Sequence, residues 1–257
     1  MMKSTMHSTL RTLADKYENP GFCDDDPSQF LRRYEKVPGA QVADTEAASF
    51  IAAMLAFGSR TQFIPKINFI LDIADKTSGT ISQWLVSGSC KKDFPTGAKK
   101  FYRFYSYDDM HTFFGELAKI LEEAGSLGSW CKAKYEEEDA AIATAALDQL
   151  LSAAFPQSRI VPKGRTSANK RLHMFLRWMV RQNSPVDLGL WSWYPQSRLL
   201  LPLDVHVMQE AIKLGLLPPD ATPSRKTAVT LTARMQEFFP GDPSRADYAL
   251  FGLGVDK

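Results

Sequence analysis

The apolar residues of this 257-residue chain recur at three- and four-residue steps along most of its length, a spacing that commits it to helices. From Glu46 onward, Ala47, Phe50, Ile51, Met54 and Leu55 form one stripe, which Gly58-Ser59-Arg60-Thr61 interrupts. Phe63, Ile67, Ile70, Leu71 and Ala74 form the next. The same spacing predicts helices over residues 108–124, 139–154, 167–182, 204–215, 225–238 and 244–253, with no convincing alternating strand pattern between them. Pro156, Pro162 and Gly164 precede one helix, Pro195 and Pro202 the next, and Gly215 with Pro218 and Pro219 ends it, so connections are short. The expected fold is all-α: a single domain over residues 1–257 built as two helical lobes, with the middle of the chain in one and the ends contributing to the other.

A hydrophobic content of 44% is ample for a packed core. Three cysteines, Cys23, Cys90 and Cys131, stand far apart and form neither a disulfide framework nor a C-x-x-C clip, so a cytoplasmic home is expected. The amino terminus lacks the apolar core of a signal peptide and no run of eighteen apolar residues occurs, so no membrane partner is expected. Net charge is only +2, but its distribution is uneven. Between Asp148 and Asp187 there is no acid, while Arg159, Lys163, Arg165, Lys170, Arg171, Arg177 and Arg181 all fall inside. A one-signed stretch of that length can attract phosphates, or it can simply be a solvated helix face.

The helix after Pro162 separates its faces. Leu172, Phe175, Leu176 and Met179 follow the i, i+3, i+4, i+7 rule and are expected inward, which turns Lys170, Met174, Arg177 and Arg181 the other way. Lys170 falls in the first turn, where neighbouring cations and the helix dipole work against an ammonium, the setting of a nucleophilic amine as well as of an ordinary surface lysine. Asp204, after Pro202 and before Val207, Ala211 and Leu214, is placed to cap the next helix, and a capping carboxylate is also held rigid and ionised. His206 has no second histidine at ligand spacing, so no metal is expected. Lys163-Gly164-Arg165-Thr166-Ser167 lacks the first glycine of a nucleotide-binding P-loop, yet its glycine turn, basic side chains and following helix start suit a backbone phosphate. Trp191, Trp193, Tyr194 and the run Phe101-Tyr102-Arg103-Phe104-Tyr105 offer rings for base stacking or for packing.

Several blocks carry a resemblance beyond spacing. Residues 167–181, Asp187-Leu188-Gly189-Leu190-Trp191, Pro202-Leu203-Asp204-Val205-His206-Val207, the terminal Ala249-Leu250-Phe251-Gly252-Leu253-Gly254-Val255 and the segment 52–60 resemble an uncharacterised bacterial family, a domain of unknown function. That family in turn resembles, more distantly, the helix-hairpin-helix base-excision DNA glycosylases of the archaeal 8-oxoguanine type. The shared element is a lysine opening one helix and a P-x-D-x-x-V-like start of another.

The resemblance implies a two-lobed helix-hairpin-helix glycosylase-like fold acting on double-stranded DNA with a damaged base, an oxidised purine among the candidates. It implies Lys170 as the nucleophile on the sugar C1′ and Asp204 as its partner, with or without abasic-site lyase activity. Lys163, Gly164, Arg165, Ser167, Arg171 and Arg177 are the expected DNA contacts. The Leu-Pro-Gly-x-Gly hairpin run of those enzymes is replaced by Val161-Pro162-Lys163-Gly164-Arg165-Thr166, and their four-cysteine cluster is missing, so no cofactor is expected. A noncatalytic nucleic-acid or protein-binding module that keeps the fold is the alternative, with Lys170 a phosphate contact and Asp204 only a cap.

Overall fold

In the computed structural model, which describes residues 2–137 and 147–255, the chain divides into two compact units, Asp25–Lys163 and a second made of Met1–Asp24 with Gly164–Lys257. Both are helical, and the only sheet among the described residues is one two-stranded hairpin. Among those residues no helix is long and apolar enough to cross a membrane.

The middle unit is organised around α2 (Val42–Leu55), which is buried along nearly its whole length. Such a helix needs contacts on every side, and Phe50 supplies two of them, stacking on Phe155 at 5.1 Å and lying 5.8 Å from Phe113. Gln41 and Asp44 start α2 with a reciprocal cap, and Gly58, in the left-handed region at φ +83°, turns the chain toward α3 (Arg60–Ser78). Phe63, Ile67, Ile70, Leu71 and Ala74 face inward from α3 as their spacing predicts.

Two short helices follow, α4 (Ile81–Val86) and α5 (Cys90–Asp93), then β1 (Lys100–Tyr102) and β2 (Tyr105–Ser106) as an antiparallel pair. The helix-only expectation missed this hairpin because strands of three and two residues are too short for a period-2 pattern. Ser106 and Asp109 form a capping box that launches α6 (Tyr107–Ala124), and Gly125 in the left-handed region ends it. Met110, Phe113, Phe114, Leu117 and Leu121 give α6 its buried face. The unit continues with α7 (Leu127–Glu137) and α8 (Leu147–Ala154). Of the helix expected over 139–154, residues 139–146 lie outside the described residues. Cys90 and Cys131 are buried thiols; the side chain of Cys23 is not among those described.

The other unit brings the two ends of the chain together. Helix α1 (Met2–Tyr17) packs on α12 (Ala246–Val255), which also packs on α10 (Val205–Lys213). Leu10, Ala14, Val207, Ala211, Ala249 and Leu250 meet in one core, joined by Leu231 and Met235 of α11 (Arg225–Met235). Helix α9 (Lys170–Val180) completes the unit. Its last turn is closed by the following segment, where the Leu188 and Trp191 amides donate to the Trp178 and Met179 carbonyls at 2.8 and 2.7 Å.

Candidate functional site

Helices α9 and α10 present their first turns to each other. Asn169, in the left-handed region at φ +44°, turns the chain into α9, so that Lys170 is its first residue. Asp204 caps α10 from extended backbone, and its Oδ1 accepts the Val207 amide at 2.8 Å. Its other oxygen, Oδ2, accepts from Lys170 Nζ at 2.6 Å. What Lys170 faces is therefore an anion, not the crowd of cations its sequence neighbours suggest. Burial pushes the Asp204 carboxyl up, but the Lys170 charge and hydrogen bond, the Val207 amide and the His206 charge together bring it below its ordinary value. The pair stays reachable: 31% of the Lys170 side chain and 19% of that of Asp204 are exposed.

A third helix adds groups that sequence reasoning missed. Lys170 Nζ lies 5.5 Å from the centre of the Phe251 ring, and Asp247 stands one turn earlier on the same face of α12. Asp247 Oδ2 accepts from Arg177, whereas Oδ1 is buried with no hydrogen-bond partner among the described residues. Burial pushes this carboxyl up to about 6, against the lowering effect of the Arg177 and Lys170 charges and with the help of Asp204 and Asp187. One carboxylate that holds few protons and one that titrates near neutrality thus act on the same amine. The only signal in the sequence was the i, i+4 spacing of Asp247 and Phe251, which any helix face can show.

The expected outward face of α9 is not outward. Met174, Arg177 and Arg181 are buried, only 8%, 6% and 2% exposed. Arg177 reaches Asp247 and Asp187, with its guanidinium 4.2 Å from the Tyr248 ring. Arg181 donates to Glu18 at 2.5 Å, Asp187 at 2.8 Å and Asp242 at 2.9 Å. Such charges stay inside only because carboxylates meet them there. Arg177 is accordingly corrected from a surface-facing DNA contact to a member of an internal ion-pair network.

The remaining basic residues divide. Lys163, in the middle unit, turns its ammonium onto the Ser152 and Phe155 carbonyls at the end of α8, and burial lowers its proton affinity. Gly164 lets the turn close, because a Cβ there would stand 2.7 Å from that of Ser167. The Gly164 carbonyl also accepts from the Asn169 side chain at 2.8 Å. Arg165 and Ser167 are exposed on this turn, and Arg171 is half-buried in α9. Trp191 and Tyr194 are buried, with Trp191 edge-on to Phe175 at 5.5 Å, so packing and not base stacking accounts for them.

Two unrelated helix starts whose side chains meet as an amine and a carboxylate define a helical protein with a lysine-centred polar site. The chain belongs to a family described as a protein of unknown function (DUF2400), whose model matches residues 26–256. No curated protein and no solved structure matches it.

Proposed function

We propose that the protein is a base-excision DNA glycosylase of helix-hairpin-helix type, acting through Lys170 and Asp204. The observation that carries this reading is the 2.6 Å contact between an accessible amine and an ionised carboxylate at the starts of two helices. In the reaction, the Nζ lone pair attacks C1′ of an extruded nucleotide and the glycosidic bond breaks, the base leaving with the electron pair and taking up a proton. Opening of the sugar at O4′, which takes a proton, leaves an iminium on Lys170. Asp204, in contact with Nζ, orients the amine and faces the positive charge that grows on the sugar, while Asp247, whose proton affinity burial raises, adds its charge to the same surroundings. Arg165, Ser167 and Arg171, around the turn into α9, are the candidates for backbone phosphate contacts.

A cap and an ion pair by themselves also account for Asp204 and Lys170, which keeps a noncatalytic binding module as the competing reading. Borohydride trapping separates the two. Wild type incubated with duplex DNA carrying an abasic site or 8-oxoguanine should yield a covalent adduct, and Lys170→Gln should not. Absence of an adduct in wild type, or an undiminished one in the variant, removes Lys170 as nucleophile.

A further inference from the structure

The aromatic run 101–105 is sorted by the hairpin of the middle unit. Phe101, Tyr102 and Tyr105 are buried at 2%, 4% and 2%, while Arg103 and Phe104, the two residues of the tip, are exposed. Phe104 leaves 51% of its surface in solvent, although Phe57 and Tyr105 lie 5.4 and 4.5 Å from its ring centre. The tip is therefore a ring held in place by other rings, with one side left open.

Arg103 is unusual in two respects. Its φ of +50° belongs to the left-handed region, where a tight turn ordinarily places glycine or asparagine. Among the described residues it makes no ion pair, and its guanidinium crosses so close to Gly58 that a Cβ there would stand 2.9 Å from Nη1. Other cations are close in the chain or packed on the hairpin: Lys100 donates to the Phe104 carbonyl at 3.1 Å, and the Lys66 ammonium sits 5.0 Å from the centre of the Phe101 ring. Arg60, beyond Gly58, lies 3.6 Å from the Asp26 carboxylate, and the Lys100 charge is felt by Asp109.

We propose that the Arg103–Phe104 tip is a contact for single-stranded or locally unpaired nucleic acid, with Phe104 stacking on an unstacked base and Arg103 engaging the adjoining phosphate. An open phenyl face flanked by cations is the combination that binds unpaired strands with little sequence preference, because every base offers a π-face and every linkage a charge. What sets the tip apart is the conjunction of the two: an exposed ring held by other rings beside an arginine in the left-handed region. The inference stands apart from the chemistry assigned to Lys170, since it concerns binding without turnover.

The test is fluorescence anisotropy of the full chain with a labelled single-stranded deoxyoligonucleotide, its duplex, and a strand of the same length carrying abasic sites. Wild type should prefer the single strand to the duplex, and Phe104→Ala should weaken single-strand binding about tenfold, in line with the loss of one base–aromatic stack. Phe104→Tyr should restore binding, and the penalty of Phe104→Ala should vanish on the abasic strand. Arg103→Gly relieves the backbone, so it should unfold no earlier than wild type yet bind several-fold more weakly and with a shallower salt dependence. The proposal is overturned if wild type does not bind the single strand or if Phe104→Ala binds within twofold of wild type. It is equally overturned if Phe104 matters only for anionic phospholipid vesicles.

Discussion

Lys170 Nζ and Asp204 Oδ2 meet at 2.6 Å although 34 residues separate them in the chain. Each stands at the start of its own helix, so backbone geometry fixes the Asp204 cap and the base of the Lys170 stem that reaches it.

The double duty of Asp204 separates stability from chemistry. Asparagine can accept the Val207 amide as aspartate does, whereas alanine cannot. Asp204→Ala should cost about 1 kcal/mol or more in denaturant unfolding, and Asp204→Asn less. If the glycosylase reading holds, both should lose the borohydride adduct. Retention of full adduct formation by Asp204→Asn would reduce Asp204 to a cap.

Asp247 should give stability a pH dependence opposite to that of a carboxylate whose proton affinity folding lowers, because burial outweighs its pairing with Arg177. A buried acid whose proton affinity is raised by folding contributes stability that is complete below its ordinary value near 3.8 and lost as pH rises through about 6. Asp247→Asn removes the charge but keeps an oxygen for Arg177. Its stability relative to wild type should therefore rise between pH 4 and 7 by an amount on the order of 3 kcal/mol, measured by denaturant titration at each pH. A constant difference across that range would show that Asp247 stays charged throughout.

Arg181 holds Glu18, Asp187 and Asp242 around one guanidinium. Arg181→Met leaves Asp242 without its cation and Glu18 and Asp187 with only Arg245 and Arg177, and should lower unfolding free energy by about 3–5 kcal/mol. Recovery should come with falling pH, as the carboxylates protonate. An unfolding midpoint equal to that of wild type at neutral pH would mean that water already reaches the network.

Gly252 is the point at which α12 lies against Tyr17 of α1, and a Cβ there would fall within the Tyr17 ring. Gly252→Ala should destabilise by about 1–3 kcal/mol despite the better helix propensity of alanine. Gly254, whose Cβ would find only ordinary contacts at 3.5 Å or beyond, supplies the control: Gly254→Ala should be neutral or mildly stabilising in thermal unfolding.

Much of the helical framework was legible because it rests on local periodicity. The stripe Leu172, Phe175, Leu176 and Met179 is buried as its spacing predicts, and Asp204 caps α10 as its place before Val207 predicts. Periodicity failed on the other side of the same helix. It says which residues lie opposite the apolar stripe, but not whether a second element will cover them. The acids that cover Arg177 and Arg181 include Glu18, Asp242 and Asp247, at sequence distances of 163, 61 and 70 residues. The basic stretch therefore read as surface, although much of its charge is internal or already bonded.

From the sequence alone follow the all-α class, the core faces of its helices, the family and the suspicion attached to Lys170 and Asp204, since each depends on neighbours a few positions away or on matched blocks. Tertiary structure alone decided that these two touch, that Asp247 and Phe251 stand beside them, that Arg177 and Arg181 turn inward, and that the hairpin leaves Arg103 and Phe104 outside. Those outcomes depend on which distant helix packs where, and the free energy of that packing lies in pairs of residues that no local window contains.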